Sequence, residues 1–285
     1  MRFGSITKAS DVLHVSQPST SRLIADLEKQ VGFSLFERAG RGITPTAEAH
    51  RFHAAVESMF VGLDRLIDVA DTIRSTAGGT ISAGIIPAFT QAVVPEAFRE
   101  FSELHLDVNI MASIKNTPEI IDGVQTHQYD IGIIGQSPPY NGVETLFHTT
   151  VPYVCLVPET HWAAEVSGDL DLHALVETET FVTFGDIYPD EMLNIDGELS
   201  NKLSDRSRIF AANTPFLASL ARTTGALAIV DPFTAGVEEL IGGVISRPIK
   251  QNLKYHVAVI GMGPGIMSRA TRDMVDIFVS QLQQY

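Results

Sequence analysis

The segment VSQPSTSRLIADLE, residues 15–28, begins with a short polar run and passes directly into apolar residues at helical spacing. Ser16 is a residue type that caps helices, and Pro18 is tolerated in a first turn because an N–H there has no helical partner. The apolar residues that predict a buried stripe are Leu23, Ile24, Leu27 and Val31. The segment therefore predicts a helix whose first two turns present hydroxyl, amide and guanidinium groups.

A shorter helix is predicted just before this segment. Ser5 is the predicted N-cap of a helix over residues 6–13, with the small Ala9 on its inward side. His14 and Val15 form the turn between the two helices. Two helices joined by a tight turn, with polar side chains at the start of the second, match the geometry that places an α-helix in the major groove of DNA. From this stretch alone, the alternative is an ordinary capped helix on a protein surface.

The polar groups of the second helix suit base edges and phosphates. Gln17 offers a donor and an acceptor, Arg22 suits guanine or phosphate, and the hydroxyls between them are short donors. The segment FSLFERAGRGITPT, residues 33–46, predicts a hairpin that packs its first apolar side chains inward. The arginines of this wing are expected to reach the DNA backbone or the minor groove. The candidate DNA-binding residues are Gln17, Pro18, Ser19, Thr20, Ser21, Arg22, Arg38 and Arg41.

Charge is distributed unevenly along the 285 residues, whose net charge is −14. Residues 1–51 hold 7 Lys/Arg against 5 Asp/Glu, whereas residues 79–285 hold 11 against 25. A mildly basic head on an acidic body is the asymmetry expected when only the head contacts phosphate. The single cysteine, Cys155, excludes an internal disulfide and a Cys-rich metal site. With no apolar run of membrane-spanning length and no secretory leader, we expect a cytoplasmic protein.

A long helix is predicted after the wing. Thr44 is its expected cap and Pro45 its first residue, and the pattern continues to about Ser75, before Gly78 and Gly79. Apolar residues recur at alternating steps of four and three, the heptad spacing of a two-stranded coiled coil. These seam residues are Phe52, Val56, Met59, Leu63, Leu66, Ala70 and Ile73. The pattern favours a dimerisation helix, and the alternative is an amphipathic helix lying on its own domain.

From Thr80 onward, short apolar runs alternate with helical patterns, which predicts an α/β fold with mostly parallel sheets. Two lobes fit better than one sheet, with crossings near residues 140–150 and 245–250. In such sheets, ligands bind beyond the carboxyl ends of strands, where helices begin. The candidate effector-binding residues at these points are Pro87, Ala88, Phe89, Thr90, Ser113, Lys115, Asn116, Thr117, Phe184, Asn213, Thr214, Asp231 and Pro232. Helix N-termini, hydroxyls and Lys115 suit a carboxylate, whereas Asp231 suits an ammonium or guanidinium group.

Enzyme signatures are weak in this sequence. The segment GMGPG, residues 261–265, lies between a predicted strand and a predicted helix, as in a dinucleotide-binding turn. The sequence offers neither a further strand nor the acidic residue about 20 positions on that such a site requires, so we expect no cofactor. His50 and His53 lie one helical turn apart without a third ligand nearby, so we expect no metal. Hydrolase and NTPase motifs are absent from the sequence, and we expect no enzymatic activity.

The segment from residue 4 to residue 49 closely resembles the winged helix-turn-helix of LysR-type transcriptional regulators, on the strength of its SQP-x-x-SR core, LFER and TPT. The resemblance covers the chain in order and implies a mostly α DNA-binding head, a linker helix and a two-lobed effector domain similar to periplasmic binding proteins. It also implies the DNA contacts, which are Gln17, Pro18, Ser21, Arg22 and Arg41. Family members carry a further helix, roughly a dozen residues, before the position of Met1. We therefore expect either a start upstream of Met1 or a head that lacks its first helix; a head without that helix would leave Val12, Leu23 and Leu27 less covered and would bind DNA less well.

The predicted domains are 1–43 for DNA binding, 44–78 for the linker helix and 79–285 for the effector. Lobe one is expected at about 79–145 and 248–285, and lobe two at about 146–247.

The body most resembles regulators of octopine and nopaline catabolism, with IVDPFTA, residues 229–235, as the nearest local match. This implies an opine or amino-acid-like effector, operator DNA, a dimer or tetramer of the chain, and RNA polymerase as partners. Two alternatives stay open at this point: a solute-binding module whose truncated head no longer binds DNA, and an enzyme on the same fold.

Overall fold

A computed structural model describes residues 5–39, 42–53, 55–56, 79–136, 138–184, 197–263 and 265–284. The chain divides into two compact units, Met1–Asp68 and Val69–Tyr285. None of the described helices combines the length and the apolar composition that a membrane span requires.

The first unit contains the predicted helix-turn-helix and hairpin. Its elements are α1 (Ile6–Leu13), α2 (Gln17–Val31), β1 (Phe36–Ala39) and β2 (Gly42–Pro45), followed by a helix over residues 47–53. His14 ends α1 in the left-handed conformation, at φ 55°. Glu28 joins α2 to the hairpin, because its Oε1 accepts the backbone N–H groups of Leu35 at 2.6 Å and Phe36 at 3.2 Å. Strands β1 and β2 pair antiparallel, as the wing prediction requires.

The stripe predicted to be buried on α2 is only partly covered. The side chains of Leu23 and Leu27 are 66% and 37% exposed, and Val12 on α1 is 56% exposed. Ile24 and Val31 are half-buried. Continuous burial of the stripe was therefore a wrong prediction, whereas the expected exposure of Val12, Leu23 and Leu27 is confirmed.

The helix after the wing starts later than predicted. Thr46 is the cap, because its hydroxyl accepts the Ala49 N–H at 3.0 Å and donates to the Ser34 carbonyl at 2.8 Å. The prediction of Thr44 as cap was wrong because the hairpin continues through Pro45, which pairs with Phe36. Of the predicted coiled-coil seam, Phe52 packs edge-on against Phe33 with ring centroids 5.8 Å apart. The seam residues beyond Val56, which are Met59, Leu63, Leu66, Ala70 and Ile73, lie outside the described residues.

The second unit contains two five-stranded sheets. Its strands are β3 (Thr80–Ile85), β4 (Asn109–Ile114), β5 (Ile131–Ile134), β6 (Glu144–Pro152), β7 (Val154–Pro158), β8 (Phe181–Phe184), β9 (Ser207–Ala211), β10 (Leu227–Val230), β11 (Val244–Pro248) and β12 (Lys254–Gly261). The order in sheet one is β4-β3-β5-β12-β6, and the order in sheet two is β11-β7-β10-β8-β9.

Both sheets are mixed, so the prediction of mostly parallel sheets was wrong. Strand β3 pairs parallel with β4 and β5, and β8 pairs parallel with β9 and β10. Strand β12 pairs antiparallel with β5 and β6, and β7 pairs antiparallel with β10 and β11. Strands β7 and β12 each follow a crossing from one lobe to the other. Each lies between two strands that run in the opposite direction, which produces the antiparallel pairs.

The chain crosses between the sheets twice. The first crossing is Tyr153, between β6 and β7, and the second is residues 249–253, between β11 and β12. The first crossing lies beyond the predicted end of lobe one near residue 145, because β6 pairs with β12 as far as Pro152.

Helices cover the sheets and bring their first turns to the strand ends. They are α3 (Val93–Leu104), α4 (Thr117–Gln125), α5 (Leu172–Thr178), α6 (Gly197–Asp205), α7 (Thr214–Thr224), α8 (Pro232–Ile241) and α9 (Arg269–Leu282), with single 3-10 turns at Pro87–Phe89 and Trp162–Ala164. Helix α4 approaches sheet one closely, because a Cβ on Gly132 would lie 2.5 Å from the Ile120 side chain. That close approach requires glycine at position 132.

Candidate functional site

The start of α2 is an exposed and internally ordered polar surface. The Ser16 hydroxyl accepts the Ser19 N–H at 3.3 Å, and the two hydroxyl oxygens lie 2.7 Å apart. The Gln17 amide donates to the Ser21 hydroxyl at 3.2 Å. Gln17, Pro18, Ser19 and Arg22 are exposed, and Ser21 is half-buried. These side chains form a row of donors and acceptors in the position that the helix-turn-helix prediction assigns to base reading.

Thr20 corrects the predicted set of DNA-binding residues. It is 8% exposed, and its hydroxyl oxygen lies 2.8 Å from the hydroxyl oxygen of the buried Ser10. Ser10 in turn donates to the Ile6 carbonyl at 2.8 Å. Thr20 points inward because it lies on the face of α2 that packs against α1, and it holds the two helices together.

The predicted wing arginines are described only in part. The backbone of Arg38 pairs with Ile43 in the hairpin. The side chain of Arg38 and the whole of Arg41 lie outside the described part of the chain. Their contacts with DNA remain predictions.

In lobe one, the predicted effector residues lie at the ends of β3 and β4. The backbone N–H of Lys115 donates to the Ile85 carbonyl at 3.1 Å, which keeps the two strand ends together. Asn116 and Glu119 close a capping box at the start of α4, with reciprocal bonds of 3.0 and 3.3 Å. The Lys115 ammonium lies 3.4 Å from Glu119, so this exposed charge already has an acidic neighbour. Ser113 and Thr117, on either side, are half-buried.

Lobe two repeats this arrangement at the start of α7. Asn213 caps the helix by accepting the Phe216 N–H at 2.9 Å. The sequence N-T-P occurs at residues 116–118 and again at 213–215. Each copy follows the edge strand of its sheet and leads through a helix to the third strand, as β4-α4-β5 and β9-α7-β10. Sequence reasoning selected both caps but missed the repeat, which was visible as an identical tripeptide.

Four buried aromatic side chains join the two lobes. Phe89 in lobe one packs against Phe233 in the first turn of α8, with ring centroids 5.0 Å apart. Tyr255, at the start of β12, lies 6.3 Å from Phe89 and 6.2 Å from Phe233, and Tyr153 at the first crossing lies 5.3 Å from Tyr255. All four rings are at most 2% exposed. Of these, only Phe89 was selected from the sequence, and aromatic residues at the lobe crossings were the signal for Tyr153 and Tyr255.

The structure brings the Pro87–Phe89 turn together with the start of α8, where Asp231 and Pro232 lie. Asp231 is fully buried and caps α8, accepting the Thr234 N–H at 2.7 Å. Burial raises the pKa of the Asp231 carboxyl, and hydrogen bonds from Thr234 and Thr214 oppose that rise. This placement corrects the expectation of a carboxylate open to a cationic group, because internal donors already surround it.

The remaining predicted effector residues lie at the ends of β3 and β8. Ala88 is buried, and the Thr90 hydroxyl donates to the Pro87 carbonyl at 2.7 Å. Phe184, at the end of β8, is half-buried.

Two family models match the chain. Residues 1–50 match the model described as "Bacterial regulatory helix-turn-helix protein, lysR family", and residues 74–283 match the "LysR substrate binding domain". The chain belongs to the LysR family. The match covers both the helix-turn-helix and the two-lobed body of this LysR-family protein, in the order that the sequence resemblance implied.

Named relatives are transcriptional regulators. The "Transcriptional activator protein LysR" of Escherichia coli (strain K12) is 30% identical over 161 residues, which cover 56% of this chain and about half, 52%, of that protein. "Regulatory protein NocR" of Agrobacterium tumefaciens (strain T37) is 28% identical over 266 residues, 91% of this chain and 86% of that protein. The "Octopine catabolism/uptake operon regulatory protein OccR" of Rhizobium meliloti is 28% identical over 250 residues, 84% of this chain and 78% of that protein.

The fold is shared with full-length LysR-family structures. The crystal structure of full-length CbnR complexed with its target DNA superimposes with a TM-score of 0.68 at 17% identity, covering 99% of this chain and 94% of that one. The family assignment makes this LysR-family chain a ligand-responsive transcriptional regulator and not an enzyme. Because the helix-turn-helix is present, a solute-binding module without a DNA-binding head is not favoured.

The glycine-rich turn that resembles a dinucleotide-binding site, and the single cysteine, both have structural roles. Gly263 lies in the turn after β12 at φ 98°, where a Cβ would lie 2.7 Å from the Glu144 carboxylate. That turn leads to α9, which Ser268 caps by accepting the Thr271 N–H at 3.0 Å. Burial raises the pKa of the Cys155 thiol to about 12, which keeps this thiol protonated and unreactive.

Proposed function

We propose that this LysR-family regulator reads its operator with the exposed polar row at the start of α2 and with the wing. The observation that carries the proposal is that this row is conformationally ordered. Gln17, Ser19 and Ser21 are held by short-range hydrogen bonds, and Arg22 is exposed. A surface ordered before binding loses less conformational entropy when it meets DNA. The proposed contacts are Gln17, Pro18, Ser19, Ser21, Arg22, Arg38 and Arg41.

A gel shift with the native intergenic DNA tests this proposal. A specific complex should form and weaken as salt is added, because binding to phosphate releases counterions. The strongly acidic body makes an unspecific, purely electrostatic complex unfavourable, so competition with unrelated DNA should leave the specific band intact. Failure to form a specific complex, or binding that does not depend on salt, would contradict the proposed DNA contacts.

We further propose that the effector is an opine or an amino-acid-like compound, bound between the lobes near the starts of α4, α7 and α8. The similarity to NocR and OccR supports this class of effector. The helix starts, the Thr117 hydroxyl and the Lys115 ammonium offer donors to a carboxylate. Asp231 is buried, so in this proposal it does not contact the effector and instead caps α8.

Thermal shift tests the effector class directly. A compound that binds only the folded state raises Tm by mass action. Octopine, nopaline, arginine and lysine form the test series, with succinate as a simple carboxylate for comparison. A larger shift with an opine than with succinate supports the proposal, and equal shifts contradict it.

The proposed assembly is a dimer through the linker helix, with two dimers forming a tetramer in the cytoplasm. Each pair of heads would contact one half-site, and the effector would shift the tetramer between two arrangements that differ in access for RNA polymerase. Such a shift requires that the effector bind one arrangement more tightly than the other. Light scattering on the purified chain distinguishes monomer, dimer and tetramer, and a monomer at micromolar concentration would contradict this assembly.

A further inference from the structure

Asp231 lies at the centre of a buried polar network in lobe two. It is 0% exposed, and Thr214 and Thr234 are each 4% exposed. Its Oδ1 accepts the Thr234 N–H at 2.7 Å, and its Oδ2 lies 3.0 Å from the Thr234 hydroxyl. The Thr214 hydroxyl, on the far side of the Thr234 hydroxyl, also lowers the pKa of this carboxyl. Because burying a carboxylate is costly unless it is hydrogen-bonded, these donors stabilise it in the interior.

The network joins two helices. Asp231 and Thr234 belong to the first turn of α8, whereas Thr214 is the first residue of α7. The hydroxyl oxygens of Thr234 and Thr214 lie 3.1 Å apart. Capping of α8 requires only Asp231 and the Thr234 N–H. The hydrogen bond between Thr234 and Thr214 is therefore not part of the cap, and it ties the start of α7 to the start of α8.

The same two helices are also joined near their other ends. Arg222 on α7 donates through Nε to Glu238 on α8 at 3.0 Å, and the Glu238 side chain is almost fully buried. The first turn of α8 carries Phe233, whose ring packs against Phe89 of lobe one. A displacement at the start of α7 therefore reaches lobe one through a chain of direct contacts.

We propose that Asp231 is a positioning residue that makes α7 and α8 move as one unit, so that an effector at either helix start acts on the Phe233–Phe89 contact between the lobes. The inference rests on the proposed function for the place where the effector binds. The mechanical joining of the two helices is a property of the chain alone and is testable without an effector.

Hydrogen–deuterium exchange on the full chain, read by mass spectrometry, measures this joining. Thr214→Val removes one hydroxyl of α7 at nearly constant volume and leaves the α8 cap residues in place. We expect the amides of Thr234 and Ala235 in α8 to exchange about fivefold faster, the factor for losing one hydrogen bond between neutral groups, here that of Thr214 with Thr234. Conversely, Asp231→Asn should speed exchange at Phe216 and Leu217 in α7.

Asp171→Asn is the matched control, because Asp171 caps α5 of the same lobe by accepting the His173 N–H at 3.1 Å. It should leave exchange in α7 and α8 unchanged. Thr234→Ser keeps the hydroxyl and should exchange like wild type, whereas Thr234→Val should not. If Asp231→Asn fails to fold, Thr214→Val and the Thr234 pair still decide the question. Faster exchange confined to the helix that carries the substitution would overturn the proposal.

Calorimetric titration with octopine tests whether the joining of α7 and α8 affects effector affinity. We expect Thr214→Val to weaken octopine binding by about fivefold, as for one hydrogen bond between neutral groups, and Asp171→Asn to bind like wild type. Equal octopine affinity in Thr214→Val and wild type would overturn the role of the network in effector binding. If wild type does not bind octopine, the opine proposal fails, and the exchange comparison still decides whether α7 and α8 move together.

Discussion

His148 on β6 and His256 on β12 meet edge to edge. Their facing nitrogens, Nε2 and Nδ1, lie 3.1 Å apart, the ring planes differ by 16° and the centroids are 5.3 Å apart. The centroid distance nearly equals the nitrogen separation plus the two ring radii, so the rings are almost in line rather than stacked. One nitrogen donates and the other accepts, which requires that at least one ring stay neutral.

This pair predicts a loss of stability in mild acid. Burial, together with the charges of His148 and Lys254, lowers the pKa of His256 below 6.5. The unfolded chain then binds more protons than the folded chain just below about pH 6.5, so the free energy of unfolding falls as the pH drops through that value. We expect the Tm of wild type to fall more steeply between about pH 7 and 5 than that of His256→Gln.

His50→Gln serves as the control for this measurement, because His50 is an exposed histidine of the head. Its Tm should follow the wild-type dependence on pH. Parallel curves for wild type and His256→Gln would show that the pair does not couple to folding.

Arg22 carries the most specific prediction for DNA binding. Arg22→Ala should reduce discrimination between operator and mutated operator by about 1–3 kcal/mol, the usual value for one base contact. Arg99→Ala, on the exposed face of α3 where Arg99 pairs with Glu96 and Glu103, should bind the operator like wild type. Competition binding with single-base operator variants provides the measurement, and an unchanged base preference in Arg22→Ala would remove this residue from the reading surface.

At the scale of elements, caps were the most predictable features. Ser16, Asn213 and Asp231 cap their helices through their side chains, because a short polar side chain before Pro or an apolar run has few other local uses. Ser5 precedes α1 as predicted, but its side chain makes no capping hydrogen bond. Thr44 was a wrong choice because the local pattern T-P-T offers two candidate caps, and pairing of β2 with β1 decides between them. Pairing is a long-range property that local sequence does not contain.

The predictions for Thr20 and for the strand directions were wrong for a related reason. A hydroxyl on an amphipathic helix is assigned to the surface by default, yet Ser10 on α1 offers Thr20 a buried partner. Likewise, an alternation of strands and helices does not reveal that β7 and β12 enter a sheet from the other lobe. In the candidate effector site, single caps were therefore predictable, whereas the network of Asp231 with Thr214 depends on how two helices pack.

Thr46 gives a direct test of the corrected helix start. Thr46→Ala removes the cap and the bond to the Ser34 carbonyl, and should destabilise the head by about 1 kcal/mol. Thr44→Ala changes an exposed residue of the hairpin and should have almost no effect. Urea unfolding followed by circular dichroism compares the two variants, and a larger effect at residue 44 would restore the original cap.

At the scale of the whole molecule, the two lobes are held together by aromatic packing around Tyr255. A Cβ on Gly135 would lie 2.6 Å from the Tyr255 hydroxyl and 2.9 Å from the Ile86 side chain. Gly135→Ala should therefore overpack this junction and destabilise the second unit by about 1–3 kcal/mol. Thermal unfolding measures the effect.

Tyr255→Phe removes the atom nearest to the added methyl group and supplies the control. Combined with Gly135→Ala, it should cost less than the sum of the two single changes, because the two sites are in contact. Additive effects would indicate that the methyl group is accommodated without displacing the tyrosine.

The two N-T-P helix starts differ in the residue that follows them. Glu119 in lobe one completes a capping box, whereas the equivalent Phe216 in lobe two presents a ring that is 54% exposed. Position 216 is therefore the better choice for mutagenesis that aims to change the effector specificity of the regulator. Substitution at position 119 breaks a helix cap, whereas substitution at position 216 leaves the Asn213 cap in place and changes an exposed side chain beside the proposed effector site.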